Sequence, residues 1–184
     1  MNRHAALSAL LFFLAALNVT AQQPAPPLAA EAARVATREK LRKVLDTTGP
    51  KINVAFRQTE KQPFNFVGVM KEGLKNSESL EIVVGVSTND TITFRVYPHF
   101  RGDYINIEKV KDGVSLMHKF LSLTDRNFLY WGVDNSNDAF SGYTFTLESG
   151  FPEAALDVVL RSLRNIDNSV GELRPYIDGS SPSS

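Results

Sequence analysis

The sequence predicts an α+β domain, an antiparallel sheet flanked by helices in the order α-β-β-β-β-α-β-β-α. Three observations carry this. Apolar and polar residues alternate with period two through the middle of the chain, the pattern of strands with one buried face. Apolar residues recur at helical spacing before, between and after those strands. Strands and helices are grouped instead of alternating strictly, which favours neighbour pairing over parallel crossovers.

The first residues read as a secretory signal peptide at 1–21. Arg3 supplies the positive start, AALSALLFFLAALNV the apolar run, and Val19-Thr20-Ala21 a small-residue cleavage pattern. The run is short for a bilayer span, which needs about 20 residues, so export to the periplasm or beyond is expected over an uncleaved anchor. Residues 22–36 read as a Pro/Ala-rich linker, kept extended by Pro24, Pro26 and Pro27 and turning helical in composition from about Ala29. The domain is placed at 37–177, and 178–184 is a polar tail with no means of packing.

Leu41, Val44 and Leu45 give the first helix its apolar edge, and Gly49-Pro50 stops it. Ile52, Val54 and Phe56 then alternate with polar or small neighbours and predict a first strand. Residues 64–70 predict a second. Leu80, Ile82, Val84 and Val86 predict a third, and Ile92, Phe94 and Val96 a fourth. Thr88-Asn89-Asp90 suits the turn between the last two. From Val110 the period changes. Val110, Val114, Met117 and Leu121, with Leu116, Phe120 and Leu123 widening the stripe, predict a core-facing helix. Two strands follow at 127–133 and 140–148. A long final helix starts near Pro152, carrying Leu156, Leu160, Leu163, Ile166, Val170 and Leu173 on one face, with Pro175 ending or kinking it.

Composition narrows the function. There are 20 basic and 20 acidic side chains, so the basic excess typical of nucleic-acid partners is missing. No cysteine occurs, which removes disulfides, thiolate metal sites and cysteine nucleophiles. Of three histidines, His4 leaves with the signal peptide. His99 and His118 stand at no metal-ligand spacing, and His118 reads as a helix-surface residue. Neither a GxSxG elbow nor a phosphate-cradling glycine loop is present.

In YWGVDNSNDAFSGYTF, Asp134, Ser136 and Asp138 fall on alternate positions, as calcium ligands do. Counted from Asp134, however, the sixth position is Ala139 instead of glycine and the twelfth is Phe145 instead of glutamate. The stretch reads as a hairpin tip. No catalytic residue, metal ligand or cofactor is therefore assigned.

Two surfaces remain as candidates. One is the basic set Arg34, Arg38, Lys40, Arg42 and Lys43, which reads as a solvated helix face, with contact to an anionic membrane surface the less favoured reading. The other is TFRVYPHFRGDY. If extension persists, Arg95, Tyr97, His99 and Arg101 share the face opposite Phe94 and Val96. Trp131 or Tyr130, on opposite faces of a later strand, joins them, and Trp131 is the one assigned. Arg and aromatic residues are favoured interface anchors, so this face is the expected protein- or peptide-binding surface.

The carboxy-terminal half, HKFLSLTDRNFLYWGVDNSNDAFSGYTFTLESGFPEAALDVVLRSLRNIDNSVGELRPYI, resembles the YbjN family of bacterial proteins. There a helix ends in an Asn-containing corner, an acidic turn joins two strands, and a long leucine-bearing helix closes the chain. LEIVVGVSTNDTITFRVYP is similar to the family's sheet. The resemblance implies a type III secretion chaperone-like fold and a sensory-transduction regulator with no enzymatic activity and no catalytic residues to carry over. The signal peptide departs from the commoner cytosolic pattern. The expected function is a non-catalytic regulatory or chaperone-like protein that binds another protein or peptide, or itself. The alternative is a small-ligand or lipid-binding envelope protein, which needs a closed apolar cavity between sheet and helices.

Overall fold

The computed structural model describes residues 27–180. The stretch read as a signal peptide and residues 181–184 lie outside them. The chain is mixed α+β, with four helices and an open antiparallel sheet of seven strands.

Helix α1 spans Pro27–Thr48. It starts inside the stretch read as linker, so 27–36 are helical. Leu41 and Leu45 are fully buried, and a 3-10 turn at Gly49–Ile52 ends the helix. The strand expected at 52–56 does not form. Asn53 adopts a left-handed conformation with φ 58°, and its N–H returns to Gly49 and Pro50 carbonyls. Ile52 and Val54 are nonetheless buried. The period-two burial belongs to a corner, and pairing begins only at β1, Arg57–Gln58.

Strands β2 (Asn65–Met70), β3 (Ser79–Val86) and β4 (Thr91–Phe100) form a meander. The β3–β4 turn is held by a 2.7 Å hydroxyl pair between Ser87 and Thr91, with Asp90 at φ 49°. β5 (Asp103–Tyr104) folds back on the end of β4. Helix α2 (Gly113–Arg126) is capped by Asp112, which accepts the Ser115 N–H at 3.0 Å. That N–H holds the Asp112 carboxyl below its ordinary range. β6 (Tyr130–Val133) and β7 (Ala139–Thr146) complete the sheet in the order β1-β2-β3-β4-β7-β6.

The expected final helix is two, α3 (Glu153–Ser162) and α4 (Asn165–Ile177). The break is slight. Leu163 and Arg164 keep right-handed helical dihedrals, and the bonds tighten to three-residue closures such as Ile166 N–H to Leu163 C=O at 3.0 Å. Pro175 lies within the last turn of α4, which ends two residues later.

All four helices lie on one side of the sheet. Leu80, Ile82, Val84, Ile92 and Phe94 point toward them and meet Leu41, Leu45, Leu116, Leu156, Leu160, Leu163 and Leu173, all essentially without solvent contact. The core face of α2 is Leu116, Phe120 and Leu123. Val114, Met117 and Leu121, expected in the core stripe, face solvent instead. Among the described residues one carboxylate is inside. Asp167, in the first turn of α4, is 2% exposed and accepts three successive backbone N–H groups of the β2–β3 loop, from Lys75 (2.6 Å), Asn76 (3.1 Å) and Ser77 (2.7 Å), plus the Ser77 hydroxyl.

Candidate functional site: the open face of the sheet

Alternation along β4 decides what each face carries. Ile92, Phe94 and Val96 are spent on the core, so Thr93, Arg95, Tyr97 and His99 stand on the face without helices. Register brings their neighbours beside them. Glu81 of β3 lies opposite Tyr97, and Gly142 of β7 opposite Arg95. Phe140 and Tyr130 follow on the same face through the β6–β7 pairing, where Tyr130 lies opposite Gly142. Gly142 carries no Cβ, and one placed there would meet the Tyr130 ring at 2.8 Å. The gap lets that ring lie across the sheet.

The result is a continuous series of rings. His99 and Tyr104 are 4.4 Å apart between centroids, Tyr104 and Tyr97 5.7 Å, Tyr97 and Phe140 5.6 Å, and Phe140 and Tyr130 6.0 Å. The Arg95 guanidinium lies 4.8 Å from the Phe140 centroid, within cation–π range. Each aromatic pair adds about 0.5–1.5 kcal/mol beyond its area, which holds the rings against one another. Beside it lies a trough of about 430 Å³ lined by Asn65, Glu81, Thr93, Arg95, Tyr97 and Tyr104 on the sheet and by Asp134 and Asp138 at the rim.

Electrostatics follow from this crowding. Burial, then the Glu81 carboxylate, pushes the Tyr104 phenol up to about 12. Burial also raises Tyr97, against the pull of Arg95. Both phenols stay protonated, as donors, throughout the physiological range. His99 Nε2 is sealed from solvent without a hydrogen-bond partner among the described residues.

The acidic rim is a hairpin tip. Asp134 Oδ1 accepts the Ser136 N–H at 2.8 Å and the Asp138 N–H at 3.1 Å, and Asn137 takes φ 65°. Asp138 accepts Asn106 Nδ2 at 2.8 Å, which ties the tip to the loop after β5. Those oxygens serve turn formation. Among the described residues no group of three or more His, Asp or Glu is placed to hold a metal ion.

Of the residues expected to form this surface, Arg95, Tyr97 and His99 do share it. Arg101 does not. The strand ends at Phe100, Arg101 turns with φ 57° ahead of Gly102, and its guanidinium pairs with Asp178 at 2.7 Å. Trp131 is on the wrong face. It is 8% exposed and stacked 5.3 Å from Phe120 of α2, so Tyr130 is the one that joins the platform. Tyr104, Phe140 and Glu81 were not assigned from sequence. The RGD turn after Phe100 was the available signal that the chain doubles back and delivers Tyr104.

The basic helix face is not one surface. Arg34 and Arg38 flank the buried Leu41 and Leu45, and Lys40 and Lys43 point the other way round the helix. Arg34 donates to the Val86 carbonyl at 2.9 and 3.1 Å and lies 3.6 Å over the Phe64 ring. Arg38 and Arg42 share Glu39, whose carboxyl they hold below its ordinary range, Arg42 foremost. Lys40 lies 5.9 Å from the Phe151 ring. Among the described residues no helix is long and apolar enough to cross a membrane. Compared with protein-family models, with curated proteins and with solved structures, the chain matches none.

Proposed function

We propose that the chain is a non-catalytic protein of the YbjN type, with a type III secretion chaperone-like arrangement, that binds another protein or peptide along the open face of its sheet. The observation supporting this is the ring series from His99 to Tyr130 with Arg95 at its centre, on a sheet face that the four helices leave uncovered. Such a surface supplies large rigid contact area with polar tips, the composition that concentrates binding energy at interfaces. Its trough has room for a few residues of extended chain, and its phenols and guanidinium offer donors to backbone carbonyls. On this reading the protein acts in the periplasm or outside the cell after cleavage of its first 21 residues, in a regulatory or chaperone-like role.

The test is affinity capture of the mature protein from its own cell envelope. Wild type is compared with the Arg95→Glu, Tyr97→Ala double variant and with Lys51→Glu, beside α1 and α3 on the helical side, as a distant control. A partner lost from the double variant and kept by the control supports the proposal. A full set of partners retained by the double variant sinks it, as does copurification of lipid or metabolite alone.

A further inference from the structure

The trough on the open face has a direction. It follows β3 and β4 from the Gly85–Thr93 pair, past Val83–Arg95, to Glu81–Tyr97. Four residues of strand separate its ends, about 13 Å at the rise of a β-strand. The first end is shallow in side chains. A Cβ on Gly85 would run into the Asn65 side-chain oxygen, and the Asn65 amide in turn donates to Gln62. The second end is crowded. Glu81, Asp134 and Asp138 stand there beside the Tyr97 and Tyr104 rings, whose centroids are 5.7 Å apart.

Charge along the trough is one-sided. Among the described residues Glu81, Asp134 and Asp138 are in no ion pair, and neither is Arg95. The Arg95 guanidinium is drawn over the Phe140 ring instead. Three carboxylates therefore share the lining with one guanidinium. Asp134 and Asp138 give oxygens to the hairpin tip, but their partners there are neutral N–H groups that leave the charge in place. The tyrosine faces beside them attract cations as well. A cation at this end meets carboxylate and ring together, whereas an anion meets like charge.

We infer that the guest in this trough is a basic peptide, an extended segment that sets one Lys or Arg side chain against Glu81 and the rim carboxylates beside Tyr97 and Tyr104. The inference rests on the reading of the open face as a peptide-binding surface, and it adds the chemistry of the partner. The length of the trough selects an extended chain over a small amine, which would occupy the Glu81 end and leave the Gly85 end empty. Arg95, midway, then meets backbone carbonyls of the guest and not its cation. Specificity comes from charge at one end, and hold along the chain from the guanidinium and the rings.

The test pans a random heptapeptide display library on the chain as its own cells leave it. Selected peptides are resynthesised and titrated by fluorescence anisotropy. They carry Lys or Arg at one fixed position, and replacing that residue by Ala weakens binding about tenfold or more. Glu81→Gln, which keeps the shape and removes the charge, weakens the parent peptide by a similar factor and leaves the Ala peptide unchanged. Val83→Trp fills the trough midway with a residue that strands accept, and it weakens both peptides. Tyr97→Ala does the same by removing bulk instead of adding it. Lys51→Glu, on the helical side, changes neither. Peptides that respond to Val83→Trp and Tyr97→Ala but are neutral or acidic, or are indifferent to Glu81→Gln, overturn the inference and leave the open-face reading standing. Peptides that ignore Val83→Trp and Tyr97→Ala, or a library that yields no binder, overturn both.

Discussion

Asp167 is the side chain whose removal should cost this fold most for its size. It collects Lys75, Asn76 and Ser77 N–H groups and the Ser77 hydroxyl from a loop 90 to 92 residues away in sequence. It does so from the first turn of α4, where a negative charge also complements the helix dipole. Gly171 allows the approach, since a Cβ there would meet the Asn76 side chain at 2.8 Å. Asp167→Ala leaves three consecutive donors aimed at an empty site. Lys75 is exposed and rehydrates, while Asn76 and Ser77 are half-buried. With each unsatisfied donor costing about 1–3 kcal/mol, the expected loss is about 3–4 kcal/mol. Asp167→Asn keeps one acceptor but turns an amide N–H₂ toward the same donors, so about 2–3 kcal/mol is expected. Against a typical total of about 5–15 kcal/mol either loss is large. Urea denaturation measures both, and native-state hydrogen exchange should show the amides of 75–77 losing protection before the rest of the sheet. A loss below about 1 kcal/mol in Asp167→Ala, with those amides still protected, would refute the reasoning.

Two further outcomes can be checked with the same material. Phe120→Ala removes the ring stacked on Trp131 and should cost about 3–5 kcal/mol, with a shift in the emission of the only tryptophan. A loss under about 1 kcal/mol would mean that the core face of α2 is misidentified. The Tyr104 phenol should titrate near 12 in a tyrosine-labelled NMR experiment, and Glu81→Gln should bring it down toward the ordinary value of about 10. Since the folded value is raised, the stabilisation it reports is complete below about pH 10 and is lost as pH rises toward 12. A midpoint near 10 in the wild type would contradict the crowding described for the open face.

Much of the sheet was legible because its signal is local. Strands β2, β3 and β4 announce themselves by alternation, and Asn89-Asp90 by turn chemistry. The errors share a cause, which is that periodicity records burial without recording the partner. Residues 52–56 alternate in burial yet have no strand beside them, and Pro50 and Asn53 direct a corner. The break at 163–164 kept the three-residue spacing of Leu160, Leu163 and Ile166 and so left no gap in the pattern. Helix α2 has apolar residues on two faces, and spacing alone cannot say which one the core takes. The site was half legible for the same reason. Arg95, Tyr97 and His99 follow from one strand's phase. Choosing Tyr130 over Trp131 requires the register against β7, and Tyr104 requires the reversal at Arg101.

β4 is hydrogen-bonded along both edges, to β3 on one side and to β7 and β5 on the other. The residues that would meet a partner therefore sit on the segment least free to open. This separates the trough from recognition surfaces that fold as they bind. A guest arriving here finds the rings already ordered, so its association should lack a slow conformational phase. Its heat-capacity change should then scale with the trough it covers and carry no contribution from newly ordered chain. Calorimetry and stopped-flow mixing of an identified partner would thus read the rigidity of one strand.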